Sequence, residues 1–169
     1  MNSANSPTLI NYFLKPGYIF LAEKPTVIST VLGSCVSVCI YDRKLKTGAM
    51  NRFQYPVTAD RNKTTASFGN VATIAMIRMM EKNGSQKKHL EAQILGGAHN
   101  PEISERNIGR ENIKTAVSIL LKEGISVASR DEGGEKGRKV VFNTFTNELM
   151  VFKVEKLRSS DWFPYEGNR

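Results

Sequence analysis

Cys35 lies in the run Val31-Leu32-Gly33-Ser34-Cys35-Val36, where an apolar stretch that reads as a strand is interrupted by a Gly-Ser pair. A reactive side chain placed where a strand meets a tight turn is held by rigid backbone, and the glycine leaves room for a substrate carbonyl. A thiolate is strongly nucleophilic, and a neighbouring cation can bring a thiol down from a pKa of about 8.5 toward neutrality. The pattern therefore reads as a nucleophile, Cys35, with Gly33 and Ser34 as substrate contacts beside it. Cys39, four residues on in the resumed strand, reads as a small buried residue.

Further along the chain stand Gly48-Ala49-Met50-Asn51-Arg52-Phe53 ending in Pro56, then Gly96-Gly97-Ala98, Asn107-Ile108-Gly109-Arg110-Glu111-Asn112, and Asp131 to Val140 with its paired glycines. A Leu-Gly-Ser-Cys-Val segment followed by Gly-x-Met-Asn-x-Phe and these later motifs, in register over about residues 17 to 155, resembles the CheD family of chemoreceptor glutamine deamidases. The resemblance implies an α/β/β layered sandwich with mixed sheets. It also implies conversion of receptor glutamines to glutamate through a cysteine thioester, with no cofactor. Chemoreceptor cytoplasmic helices are the implied partners, together with a CheC-type phosphatase. Family members carry a histidine at the position of Arg52 and a threonine at the position of Ser29, so the resemblance sets Cys35, Arg52 and Ser29 together as catalytic positions. Asn51 belongs to the matched motif, and its amide suits either a substrate carboxamide or strand-end backbone.

Deamidation needs a nucleophile for the amide carbon, a proton for departing ammonia and a base for the water that cleaves the thioester. Imidazole serves the last two tasks. The guanidinium of Arg52 can pair with a thiolate but neither accepts nor readily delivers a proton. Two readings follow: a deamidase in which another group replaces the imidazole, or a binding module that keeps the fold, docks on receptor helices or a CheC-type phosphatase, and no longer turns over. His99, after the Gly96-Gly97-Ala98 turn, is a candidate replacement or an exposed loop imidazole; His89 reads as surface. Cysteine-arginine phosphatase chemistry is a third reading, disfavoured because a strand and a turn separate the two residues. The late glycine pairs lack a Gly-Lys-Ser/Thr ending and read as hairpin turns rather than a phosphate cradle.

The elements that must position these residues are legible in part. Residues 17–22 and 26–31, the Cys35 strand and residues 48–55 form an antiparallel-looking opening rich in β-branched residues. A helix is expected over 68–82 with an apolar stripe of Val71, Ile74, Ala75 and Met79, closed by Asn83-Gly84. A second runs from near Asn107 to Gly124 with Ile113, Ala116, Val117, Leu120 and Leu121 facing the core. Strands at 90–95, 125–129, 139–143 and 149–154 complete the set, the last two joined as a hairpin. Pattern alone supports an α+β class with both helices on one face of a sheet.

The chain of 169 residues fits one domain, read as a leader over 1–16, a domain over 17–156 and an aromatic tail over 157–169. The tail, with Trp162 and Phe163, suits folding back on its own domain or capture by a partner groove. With 40% hydrophobic and 24% charged residues, the composition is that of an ordinary globular domain. No apolar run reaches the roughly 18 residues of a membrane span, and residues 1–8 lack a signal-peptide pattern, so a cytoplasmic setting is expected. Cys35 and Cys39 on one strand would stand about 13 Å apart, beyond disulfide reach. No metal site is expected, because His89 and His99 lack ligand spacing. The net charge of +8 favours acidic partners, and without interleaved aromatic residues it does not read as nucleic-acid binding.

Overall fold

The computed structural model describes residues 7–158 and residue 161. The strand carrying the cysteine, β4 (Val36–Asp42), is buried along its whole length. It can be so because it is central: β5 (Thr47–Arg52) pairs with it on one side and β6 (Leu90–Gly96) on the other, both antiparallel. β2 (Tyr18–Leu21) lies outside β5, and β7 (Ser126–Glu132) runs parallel to β6 at the far edge, giving the order β2-β5-β4-β6-β7. A second sheet takes the order β1-β3-β8-β9 from β1 (Ile10–Phe13), β3 (Thr26–Leu32), β8 (Gly137–Asn143) and β9 (Leu149–Val154). The helices α1 (Gly69–Lys82) and α2 (Ile108–Lys122) cover the open face of the five-stranded sheet.

Three layers result, helices on sheet on sheet, with a core in each gap. Val36, Val38 and Ile40 of β4 face the helices and pack with Phe53, Met76, Met80, Ile113 and Leu120. Cys35 and Cys39 face the other way and pack with Leu32, Met50, Leu95 and Phe142 between the two sheets. This is the α/β/β sandwich with mixed sheets that the family resemblance implies. Alternation of side chains along a strand assigns neighbouring residues of β4 to different cores.

The opening is not a set of sequential antiparallel strands. β2 and β3 belong to different sheets, and β1 runs parallel to β3. Pro25, which has no N–H to give a ladder, ends the crossing segment and accepts from the Ile10 N–H at 3.1 Å. Part of the segment read as a leader is thus a strand, and Leu14 just after it is fully buried. The Gly133-Gly134 turn is likewise no hairpin, because it carries the chain from β7 in one sheet to β8 in the other. The β8–β9 hairpin is present as expected. Trp162 and Phe163 lie outside the described residues. Among the described residues no helix is long and apolar enough to cross a membrane.

Both helices are present; α1 is rotated from its expected face, whereas α2 buries Ile113, Ala116 and Leu120 as expected and departs only at Leu121. In α1 the buried residues are Gly69, Ala72, Thr73, Met76, Ile77 and Met80, while Met79 of the expected stripe is exposed. In α2 Ile119 and Leu120 are buried, and Leu121 is 79% exposed. The cause is the same in both: a glycine in the first turn sets the face. A Cβ on Gly69 would stand 2.5 Å from the Phe53 ring, and one on Gly109 would stand 2.4 Å from the Gly97 carbonyl oxygen. Only the glycine side can close on the sheet, so residues at helical spacing from it turn inward, whatever apolar side chains lie elsewhere.

Replacing Leu120 by Ala should cost about 2–5 kcal/mol of stability, and Leu121→Ala about 0.5 kcal/mol or less, in chemical denaturation. Equal losses would contradict this helix orientation.

Candidate active site at the start of strand β4

Cys35 ends the bend between β3 and β4, and its backbone is tied on several sides. The Gly97 N–H donates to the Cys35 carbonyl and the Ala98 N–H to the Gly33 carbonyl, each at 2.9 Å. Val36 exchanges hydrogen bonds with Phe53 at 3.1 and 3.0 Å. The carbonyl of Ser34 accepts from Asn112 Nδ2 of α2, which also donates to the carbonyl of Gln54, each at 3.0 Å. Asn112 is fully buried and joins the bend before β4 to the segment after β5. It was not singled out from the sequence. Its signal is a polar residue one position before Ile113, on the side of the helix that Gly109 turns inward.

Cys35 is buried, 8% exposed as a residue. Arg52, the last residue of β5, is fully buried in the gap between the sheets and hydrogen-bonds the Cys35 sulfur. Its Nη1 donates to Thr30 Oγ1 at 3.0 Å and to the Leu14 carbonyl at 3.3 Å, and Thr30 Oγ1 donates to that same carbonyl at 2.7 Å. The sequence pairing of Cys35 with Arg52 is therefore present in space. Burial nevertheless raises the thiol by more than the charge and hydrogen bond of Arg52 lower it, so it stands above the usual range. Burial likewise pulls the guanidinium below its usual range, against the opposing effect of Cys35. The cation tempers the cost of ionising the thiol without removing it.

The hydroxyl that reaches Arg52 belongs to Thr30, not Ser29. Ile28, Thr30 and Leu32 are buried and share one side of β3, whereas the half-buried Ser29 has the opposite parity. Asn51 likewise lies on the far side of its sheet from the thiol. Its Oδ1 accepts from the Val38 N–H at 2.9 Å and its Nδ2 meets Thr73 Oγ1 of α1 at 3.5 Å, so the amide joins helix to sheet. Cys39 is fully buried beside Cys35 in the same core, and burial alone pushes its thiol far up.

Gly33 and Ser34 form part of the wall of a cleft of about 530 Å³, with His99, Ile103, Glu135 and Leu157 around it. His89 is at the opposite end of β4, where its carbonyl accepts from the Arg43 N–H at 3.0 Å. Both cysteines are free, and among the described residues no cluster of three or more His, Cys, Asp or Glu side chains could hold a metal.

Residues 55–153 match a family model described as CheD, chemotactic sensory transduction. A protein of Sulfurimonas denitrificans named as a probable chemoreceptor glutamine deamidase is 33% identical over 147 residues, 85% of this chain and 94% of that one. One of Anaeromyxobacter dehalogenans with the corresponding name is 38% identical, covering 78% of this chain and 77% of its own. The chemoreceptor glutamine deamidase of Thermotoga maritima is 34% identical over 82% of this chain and 88% of that one.

Alkylation of Cys35 by iodoacetamide should be slow at neutral pH and still accelerating above pH of about 8.5, and Arg52→Gln should slow it further at any fixed pH. A rate that levels off below neutrality would contradict the dominance of burial over the guanidinium charge.

Proposed function

The chain belongs to the CheD family, and from that premise we propose that it deamidates glutamine side chains of chemoreceptors, with Cys35 as the nucleophile. The observation that carries this is the single thiol at the strand-turn junction, backed by rigid backbone and hydrogen-bonded to a buried cation. The Cys35 sulfur attacks the side-chain amide carbon, the carbon–nitrogen bond breaks, and ammonia leaves with one added proton. Water then attacks the thioester, the carbon–sulfur bond breaks, and the products are glutamate and the free thiol. Arg52 lowers the cost of the thiolate form and stands where the family has its histidine. Thr30 fixes the guanidinium, while Ser29 holds the family's threonine position without reaching it. Gly33 and Ser34 border the approach to the thiol. The substrate is a glutamine on the cytoplasmic helices of a receptor, which places the reaction in the cytoplasm, and the positive charge of the chain favours an acidic helical surface. A CheC-type phosphatase is the second partner in this reading.

Arg52 also supports a competing reading. A guanidinium held by Leu14, Thr30 and Cys35 does not relay protons, and loss of general acid/base help costs about 10² to 10⁴ in rate. In that case the protein docks on receptors or on the phosphatase without turnover. Mass spectrometry separates the two readings. The deamidase reading expects a receptor cytoplasmic fragment to gain about one dalton per converted glutamine, with no gain from Cys35→Ala. Equal partner affinity for both proteins with no gain from either supports the docking module.

A further inference from the structure

We propose that His99 is the proton-transferring catalytic residue of this site, supplying what Arg52 cannot; the inference rests on the deamidase reading above. Amide hydrolysis through a thioester needs one group that first gives a proton to ammonia and then takes one from water, and imidazole is the side chain suited to both near neutral pH. The chain has two histidines, and His89 sits at the wrong end of β4. His99 borders the same cleft as Gly33 and Ser34, the two residues before the nucleophile.

Its position relative to Cys35 is fixed by backbone. Gly97 and Ala98, immediately before it, donate to the carbonyls of Cys35 and Gly33, and the His99 N–H donates to the Gly134 carbonyl at 2.8 Å. The imidazole thus hangs from a segment stitched to the nucleophile bend on one side and to the β7–β8 turn on the other. It is half-buried, and among the described residues no hydrogen bond or ion pair occupies its ring. The other charged groups of the cleft are Arg106, Glu135, Glu155 and Lys156. Arg106 makes a two-pronged pair with Glu111 at 2.7 and 3.1 Å, and Glu155 pairs with Lys136 at 3.0 Å. Glu135 and Lys156 are exposed.

In the first half-reaction the thiol proton passes to the imidazole as the carbon–sulfur bond forms. The imidazolium returns that proton to the nitrogen as the carbon–nitrogen bond breaks and ammonia departs. In the second, the imidazole takes a proton from water as oxygen attacks the thioester carbon, and gives it to the departing sulfur.

The test follows ammonia release and glutamine mass gain on a receptor cytoplasmic fragment for the wild type, His99→Gln and His99→Asn, across pH. The proposal expects either variant to lose about 10² to 10⁴ in turnover across the pH range in which the wild type is active, with an unchanged thermal transition. The unchanged thermal transition identifies which variant is folded and scored. Turnover within about threefold of wild type in a folded variant overturns the role of His99 and leaves the deamidase reading standing. Absence of any mass gain with the wild type overturns both.

Discussion

A guanidinium sealed between two β-sheets is the constraint around which the site is arranged. Transfer of a charge out of water is costly unless hydrogen bonds replace the lost hydration, so the groups around Arg52 are not free to vary independently. The Leu14 carbonyl comes from the chain just after β1, the Thr30 hydroxyl from β3 and the sulfur from the bend before β4. Arg52 itself ends β5. Four segments, from both sheets, meet at one side chain, and this explains why a strand near the start of the chain pairs parallel to β3.

The same burial sets the chemistry. A thiol in an apolar gap resists ionisation, and a cation at hydrogen-bonding distance offsets part of that resistance. The thiol is therefore held in place rather than strongly pre-ionised, and in the proposed reaction its activation depends on a base that can remove the proton as the substrate arrives. Rigid backbone supplies the remainder: Asn112, Gly97 and Ala98 fix the bend, so the thiol cannot swing to meet a misplaced amide.

Much of this was legible in the residues. The Gly-Ser break before Cys35 marked the bend, and the separation of Cys35 from Arg52 placed a strand and a turn between them. The positions of both helices and of every strand but β1 followed from apolar periodicity. Periodicity misplaced the face of α1 and the last residue of the α2 stripe because both helices carry apolar residues on more than one side, and steric closure at Gly69 and Gly109 decides between them. Thr30 was missed in favour of its neighbour Ser29, although the inward parity of Ile28 and Leu32 already pointed to it. Asn112 and the Leu14 carbonyl act through contacts distant in sequence, so their partners are not set by local pattern. The sheet crossing between β2 and β3 is of the same kind: two short strands near in sequence read as partners until the layers are known.

The central claim is that Cys35 forms a covalent acyl link with a receptor glutamine. Intact-mass analysis of an acid-quenched mixture of the protein and a receptor cytoplasmic fragment tests it most directly. The account predicts a species with the summed mass of the two chains less one ammonia, its link mapping to Cys35. Deamidation that proceeds at the full rate after Cys35 has been alkylated would contradict it.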